Sequence, residues 1–243
     1  MKYIKEYLNN KSKGFNVLEY SDKIINMIRS INVSNNDYIQ LYKTEVNGTD
    51  KLDITVFARF EPKPNVSLDS HFNHLPWEQL NINDYGYSID ANMTIGKNTI
   101  VPEIEIHIML SDNPNYTELK FRLIDIIYHE LKHVNQVGLN RKAVNVHPGS
   151  NSDRKEAKNP IDYFHLPEEI EAMVYGMYNR SKIEGSNLDE LMFKYLTPYI
   201  NNGNINIKDA TKTVTTWMLH ALENYPDSKL SNSKITSQII KNL

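Results

Sequence analysis

The chain has 243 residues, 40% hydrophobic and 23% charged, with a formal net charge of −3; these are the proportions of a soluble globular protein, one domain of ordinary size or a core with a helical appendage. A balance so close to neutral excludes a general attraction to nucleic acid or to anionic membrane. There is no cysteine, which excludes disulfides and thiolate metal sites, so any metal must be held by His and carboxylate side chains.

Met1 to Asn10 alternates charged and aromatic residues without an apolar core, so no secretory signal is expected. No run approaches the roughly 18 apolar residues of a membrane span. The expected compartment is the cytoplasm, or the host cytoplasm for a virus-encoded chain.

The first thirty residues read as helix, with Val17, Tyr20, Ile24, Ile25 and Ile28 at helical spacing. The period then changes to two. Tyr38–Val46 and Leu52–Phe60 alternate β-branched and aromatic residues and are joined through Asn47-Gly48, a strong hairpin signal. A polar loop follows Glu61-Pro62-Lys63-Pro64. Tyr85–Ile95 reads as a third strand, turning at Gly96-Lys97-Asn98 into Ile100–Leu110. In that last strand Ile104, Ile106, Ile108 and Leu110 alternate with Glu103, Glu105, His107 and Met109. The expectation is an antiparallel sheet of about four strands, packed on one side. Ile100–Leu110 is either an interior strand or an edge able to receive an extended peptide by strand addition.

Ser111 to Asn115 forms a turn able to cap the next helix, predicted over Tyr116–Val137, where Ile124, Ile127, Leu131 and Val134 make an apolar stripe. Gly138 is a plausible stop. Inside this helix stands His129-Glu130-Leu131-Lys132-His133, an HExxH pentad. Positions i and i+4 return to nearly the same helical face, so both imidazoles can meet one Zn²⁺. Glu130, beside them, is within reach of a metal-activated water as general base. A bare i,i+4 His pair on an ordinary helix is the plain alternative.

Leu139 to Asp162 reads as a long polar connection containing Pro148, Gly149 and Pro160. Helices are then predicted at Pro167–Lys182, Leu188–Ile200, Ile207–Asn224 and Ser231–Leu243. Strands first and helices afterwards argue an α+β fold. The divisions are 1–36 (helical), 37–110 (sheet), 111–185 (zinc-site helices) and 186–243 (C-terminal helices), within one domain.

Catalytic zinc usually keeps three protein ligands and one open position. Gln136 and Leu139 stand where a metzincin would have Gly and His, so that class is excluded. Glu168, Glu169 and Glu171, in the first turns after Pro167, are the candidate source of a third ligand, with His165 a lesser one. Their plain alternative is that they complement the helix dipole, each contributing about 0.3–1 kcal/mol. Glu169, Ala172, Tyr175 and Gly176 share one helical stripe, and Glu171 lies about 200° from Glu169.

The pentad taken with Glu169-Ile170-Glu171-Ala172-Met173-Val174-Tyr175-Gly176 resembles the gluzincin-type zinc metallopeptidases. It is closer still to small phage-type metallopeptidases in which HExxH is followed by Tyr and then P-x-E-I-E-A, as at Tyr163 and Pro167 to Ala172. The resemblance covers residues 128 to 176. It departs from the gluzincin pattern at Met173, where Asp or Asn is usual, and at Gly176 in place of Ala. By position it makes Glu169 the metal ligand, with Glu171 the alternative. It implies a zincin-like fold, with a small antiparallel or mixed sheet packed on the pentad helix and a helical C-terminal half.

The expected activity is hydrolysis of a polypeptide by a metal-activated water, with Glu130 as base. Tyr163, His165 and His147 are candidate donors to the developing oxyanion. The rival expectations are a catalytically inactive, zinc-stabilised binding or virion-associated protein, and a hydrolase of small amides. His71 with His74 has a weak HxxH look. Arg141, Lys142, Arg154, Lys155 and Lys158 make a basic loop, read first as solvated. Trp217 with Met218, Leu219 and Leu222 reads as core.

Overall fold

The computed structural model describes residues 16–30, 39–46, 52–60, 82–95, 102–137, 157 and 159–231. Described residues up to Val137 belong to one compact unit and those from Ala157 onward to another. The Asn47-Gly48 turn, the His71/His74 pair, Gly138, His147, the five basic loop positions and, but for Ser231, the helix expected over Ser231–Leu243 lie outside the described residues. The architecture is α+β, with six helices and four strands among the described residues.

The first unit opens with α1 (Val17–Ser30). All five apolar positions picked out by their spacing are buried. Strands β1 (Ile39–Val46), β2 (Leu52–Phe60), β3 (Tyr87–Ile95) and β4 (Pro102–Leu110) follow. They form one sheet in the order β1-β2-β4-β3. β1 pairs antiparallel with β2, and β3 antiparallel with β4. β2 and β4 run parallel, so the sheet is mixed, and the fully antiparallel expectation is corrected there.

The reason lies in what each strand can bury. Ile104, Ile106, Ile108 and Leu110 of β4 are all fully buried, which suits a strand paired on both sides. They stand in register with Ile54, Val56, Ala58 and Phe60 of β2, and with Met93, Ala91, Ile89 and Tyr87 of β3. β3, whose Ile89, Ala91 and Met93 are half-buried, takes the edge. Inserting β4 beside β2 makes two strands of like direction neighbours. The same order makes β4 interior, so it is not the exposed edge that strand addition of a peptide would need; among the described residues the edges are β1 and β3. On the opposite face Glu103, Glu105 and His107 are half-buried, while Met109 is buried.

Helix α2 (Tyr116–Val137) follows β4 and packs on α1 and β3. Its start is held by Asn115, the last residue of the turn expected to cap it, whose Oδ1 accepts from the Glu118 N–H at 3.1 Å. The corner before it is tied to the turn that opens β3: Ser111 N–H donates to Gly86 O at 2.9 Å and Asn115 N–H to Tyr85 O at 2.8 Å. Asp22 pairs with Lys120 at 2.5 Å, and the Arg29 guanidinium lies 4.8 Å from the centre of the Tyr116 ring. Both contacts fix α1 against the first turns of α2.

Gly86 is required at this corner. Its φ is +77°, and a Cβ there would come within 2.5 Å of Ser111 Oγ and 3.0 Å of Pro114 Cα. Gly86→Ala is expected to destabilise the protein by about 2 kcal/mol, from the left-handed backbone penalty together with displacement of the corner. Urea unfolding that shows no change in midpoint would refute this.

The second unit is helical: α3 (Pro160–Phe164), α4 (Pro167–Glu184), α5 (Leu188–Asn201) and α6 (Ile207–Asn224). Its core gathers Phe164, Val174, Met177, Met192, Leu196 and Trp217. Trp217 is fully buried, and its Nε1–H donates to Phe164 O at 3.1 Å, so the core reading of that residue holds. α4 ends at Gly185 in the left-handed region, φ +76°, whose N–H donates to Ser181 O. α6 begins at Asn206, whose side chain accepts from the Asp209 N–H. α3 corrects the expectation of an unbroken polar connection to Asp162. Asn159 caps it, accepting from the Asp162 N–H, and Pro160 sits in its first turn, so the proline starts a helix here.

No described helix is long and apolar enough to cross a membrane.

Candidate metal centre

Helix α2 carries the pentad. Its apolar stripe, Ile124, Ile127, Leu131 and Val134, is buried, and His129, Glu130 and His133 are buried as well, at 8%, 3% and 7% exposure. Polar groups removed from water must find partners or ligands. The two imidazoles meet edge to face, ring centres 4.6 Å apart and planes at 81°, and their Nε2 atoms are 3.0 Å apart. Two nitrogens sharing a tetrahedral zinc at about 2.05 Å would stand about 3.3 Å apart. Glu130 Oε1 is 3.9 Å from His129 Nε2, which puts a carboxylate next to the nitrogens. His133 Nδ1 is 2.7 Å from Gln136 Oε1. Gln136, weighed in the sequence only as a departure from the metzincin pattern, is therefore a direct neighbour of a candidate ligand.

Glu169 stands in the first turn of α4, two residues after Pro167, and is 1% exposed. The N-terminal end of a helix favours the ionised carboxylate. Tyr163 Oη–H donates to Glu169 Oε2 at 2.7 Å, and Tyr163 is itself buried. The short helix α3 brings this hydroxyl round to a residue six positions later. The expected oxyanion donor is thus engaged with the expected ligand. His165 follows α3 and is hydrogen-bonded through Nδ1 to Ile161 O at 2.9 Å. Since a carbonyl only accepts, Nδ1 carries a proton, and Nε2 is enclosed.

Glu168 and Glu171 are both less buried than Glu169. The charge of Glu171 reaches Tyr225: burial first, then Glu171 and Tyr178, push the Tyr225 phenol up to about 12. Glu171 therefore acts electrostatically on Tyr225, whose ring stacks on that of Tyr178 at 4.4 Å.

One group of metal-capable side chains is found among the described residues. A ligand atom from each of His129, His133 and Glu169 lies within 4.8 Å of the others, and all three residues are buried. The group could hold a metal ion. Neither His165 nor Glu171 belongs to it. Two imidazoles and a carboxylate are a donor set that suits zinc, so the residues present fit that ion.

No protein-family model, curated protein or solved structure matches this chain.

Proposed function

We propose that the chain is a zinc-dependent metallopeptidase of gluzincin type, with a zincin-like fold, in which His129, His133 and Glu169 hold the metal and Glu130 is the general base. The observation that carries this reading is the convergence of two buried imidazoles and one buried carboxylate, with donor atoms no more than 4.8 Å apart. Three protein ligands leave the fourth corner of a tetrahedral ion open for chemistry. Bound there, zinc would acidify a water molecule and polarise a peptide carbonyl.

The rest falls to the chain's own residues. Glu130 takes the proton of the attacking water as its oxygen bonds to the carbonyl carbon. It then delivers that proton to the amine nitrogen as the C–N bond breaks, so each turnover leaves Glu130 as it began. Tyr163, donating to Oε2 of Glu169, would hold that carboxylate in place for the metal.

Burial of all three donors favours one other reading, a zinc-stabilised binding protein without activity. The two part on metal removal. The purified protein is expected to carry about one zinc, to cleave an unstructured polypeptide such as casein, and to lose cleavage on chelation with only a modest fall in Tm. Unfolding on chelation with no cleavage beforehand supports the second reading. A protein that takes up no zinc rejects both.

A further inference from the structure

We propose that Gln136 is a positioning residue: its side-chain oxygen sets the tautomer of His133, so that Nε2 offers a lone pair to the metal. This rests on the metal-centre reading above. Gln136 stands three residues after His133 on α2, close enough around the helix for the side chains to meet. Its Oε1 is 2.7 Å from His133 Nδ1. An amide oxygen only accepts, so the ring must carry its hydrogen at Nδ1, which leaves the lone pair on Nε2. That is the atom turned towards His129 Nε2.

The reverse amide orientation would aim an NH₂ group at Nδ1 and force the hydrogen onto Nε2, closing that atom to a metal. The amide orientation thus decides whether His133 is ready to coordinate. A neutral amide in this place also fixes the ring without adding charge. With Gln136, the three ligands carry only the single negative charge of Glu169. A carboxylate there would fix the same tautomer and make the imidazole a stronger donor.

The test begins with metal-free wild-type protein. Long-range ¹H–¹⁵N correlation spectra of the imidazoles, recorded above the histidine titration range, are expected to show His133 protonated at Nδ1. Gln136→Leu, which keeps the bulk and loses the acceptor, should shift His133 towards the Nε2–H form. It should also weaken zinc binding by about 10–100-fold, while the Tm of the metal-free protein is unchanged. Gln136→Glu should keep the wild-type tautomer and bind zinc at least as tightly as wild type.

A wild-type His133 protonated at Nε2 would overturn the proposal, and so would a Gln136→Leu protein with wild-type tautomer and zinc affinity. The second result, in a protein that does bind zinc, removes only the role of Gln136. A wild-type protein that binds no zinc removes the metal centre, and this proposal with it. If Gln136→Leu does not fold, the wild-type spectrum and Gln136→Glu still decide.

Discussion

On the proposed mechanism, Glu130→Gln is expected to lower kcat for peptide hydrolysis by about 10²–10⁴-fold without loss of zinc binding. The two carboxyl-like groups have nearly the same shape, so the buried position, 3% exposed, can take the amide without a cavity. What is lost is proton acceptance, because an amide is not a base at neutral pH. Glu130 is outside the group of three donors, so metal content should not follow activity down. KM should change little, since the base acts as the bond to water forms and not when substrate binds. The measurement is paired: turnover of an unstructured peptide, and zinc per polypeptide by elemental analysis, on the same preparation. Unchanged cleavage would remove Glu130 as base. Loss of zinc in this variant would mean that Glu130 is a ligand, and the division of roles in the site would have to be redrawn.

The parts of this molecule that were readable from sequence are those fixed by near neighbours. The pentad helix keeps its expected limits, Tyr116–Val137, because a cap at Asn115 and a stripe at spacings of three and four are local properties. Alternation in Ile104 to Leu110 likewise gives the faces of β4. Alternation carries no information about which strand lies alongside, so the interior place of β4 and its parallel pairing with β2 had no local signature. The five-residue helix α3 is too short to show a period. Its only signal is Asn159-Pro160 with Asp162 two residues later, a cap and a first-turn proline that also suit a loop. That omission hid how Tyr163 is aimed at Glu169.

The pattern of the site survived better than its supporting contacts. His129, His133 and Glu169 are specified by residue type and helical phase, and the structure brings them together. The bonds from Gln136 and Tyr163 depend on side-chain rotamers and, for Tyr163, on a turn between two helices. Spacing reveals neither.

Glu169 and Glu171 provide the sharpest test of the third ligand, because they differ by two positions on one helix and by almost everything else. Glu169 is 1% exposed, accepts from Tyr163, and belongs to the group with both pentad histidines. Glu171 is half-buried and acts on the Tyr225 phenol. Glu169→Ala should therefore weaken zinc binding by more than the roughly 10–100-fold that losing an indirect partner costs, and abolish cleavage. Glu171→Ala should leave zinc affinity and turnover at wild-type levels. It should instead lower the Tyr225 pKa from about 12 towards 10, the ordinary value. The return would be partial, because burial is the first cause of the shift and remains. Competition with a chromophoric chelator gives the zinc affinities, and an ultraviolet titration of tyrosinate absorbance follows Tyr225. Were Glu171→Ala to lose zinc while Glu169→Ala kept it, the carboxylate now assigned to the metal would be only a buried acceptor for Tyr163.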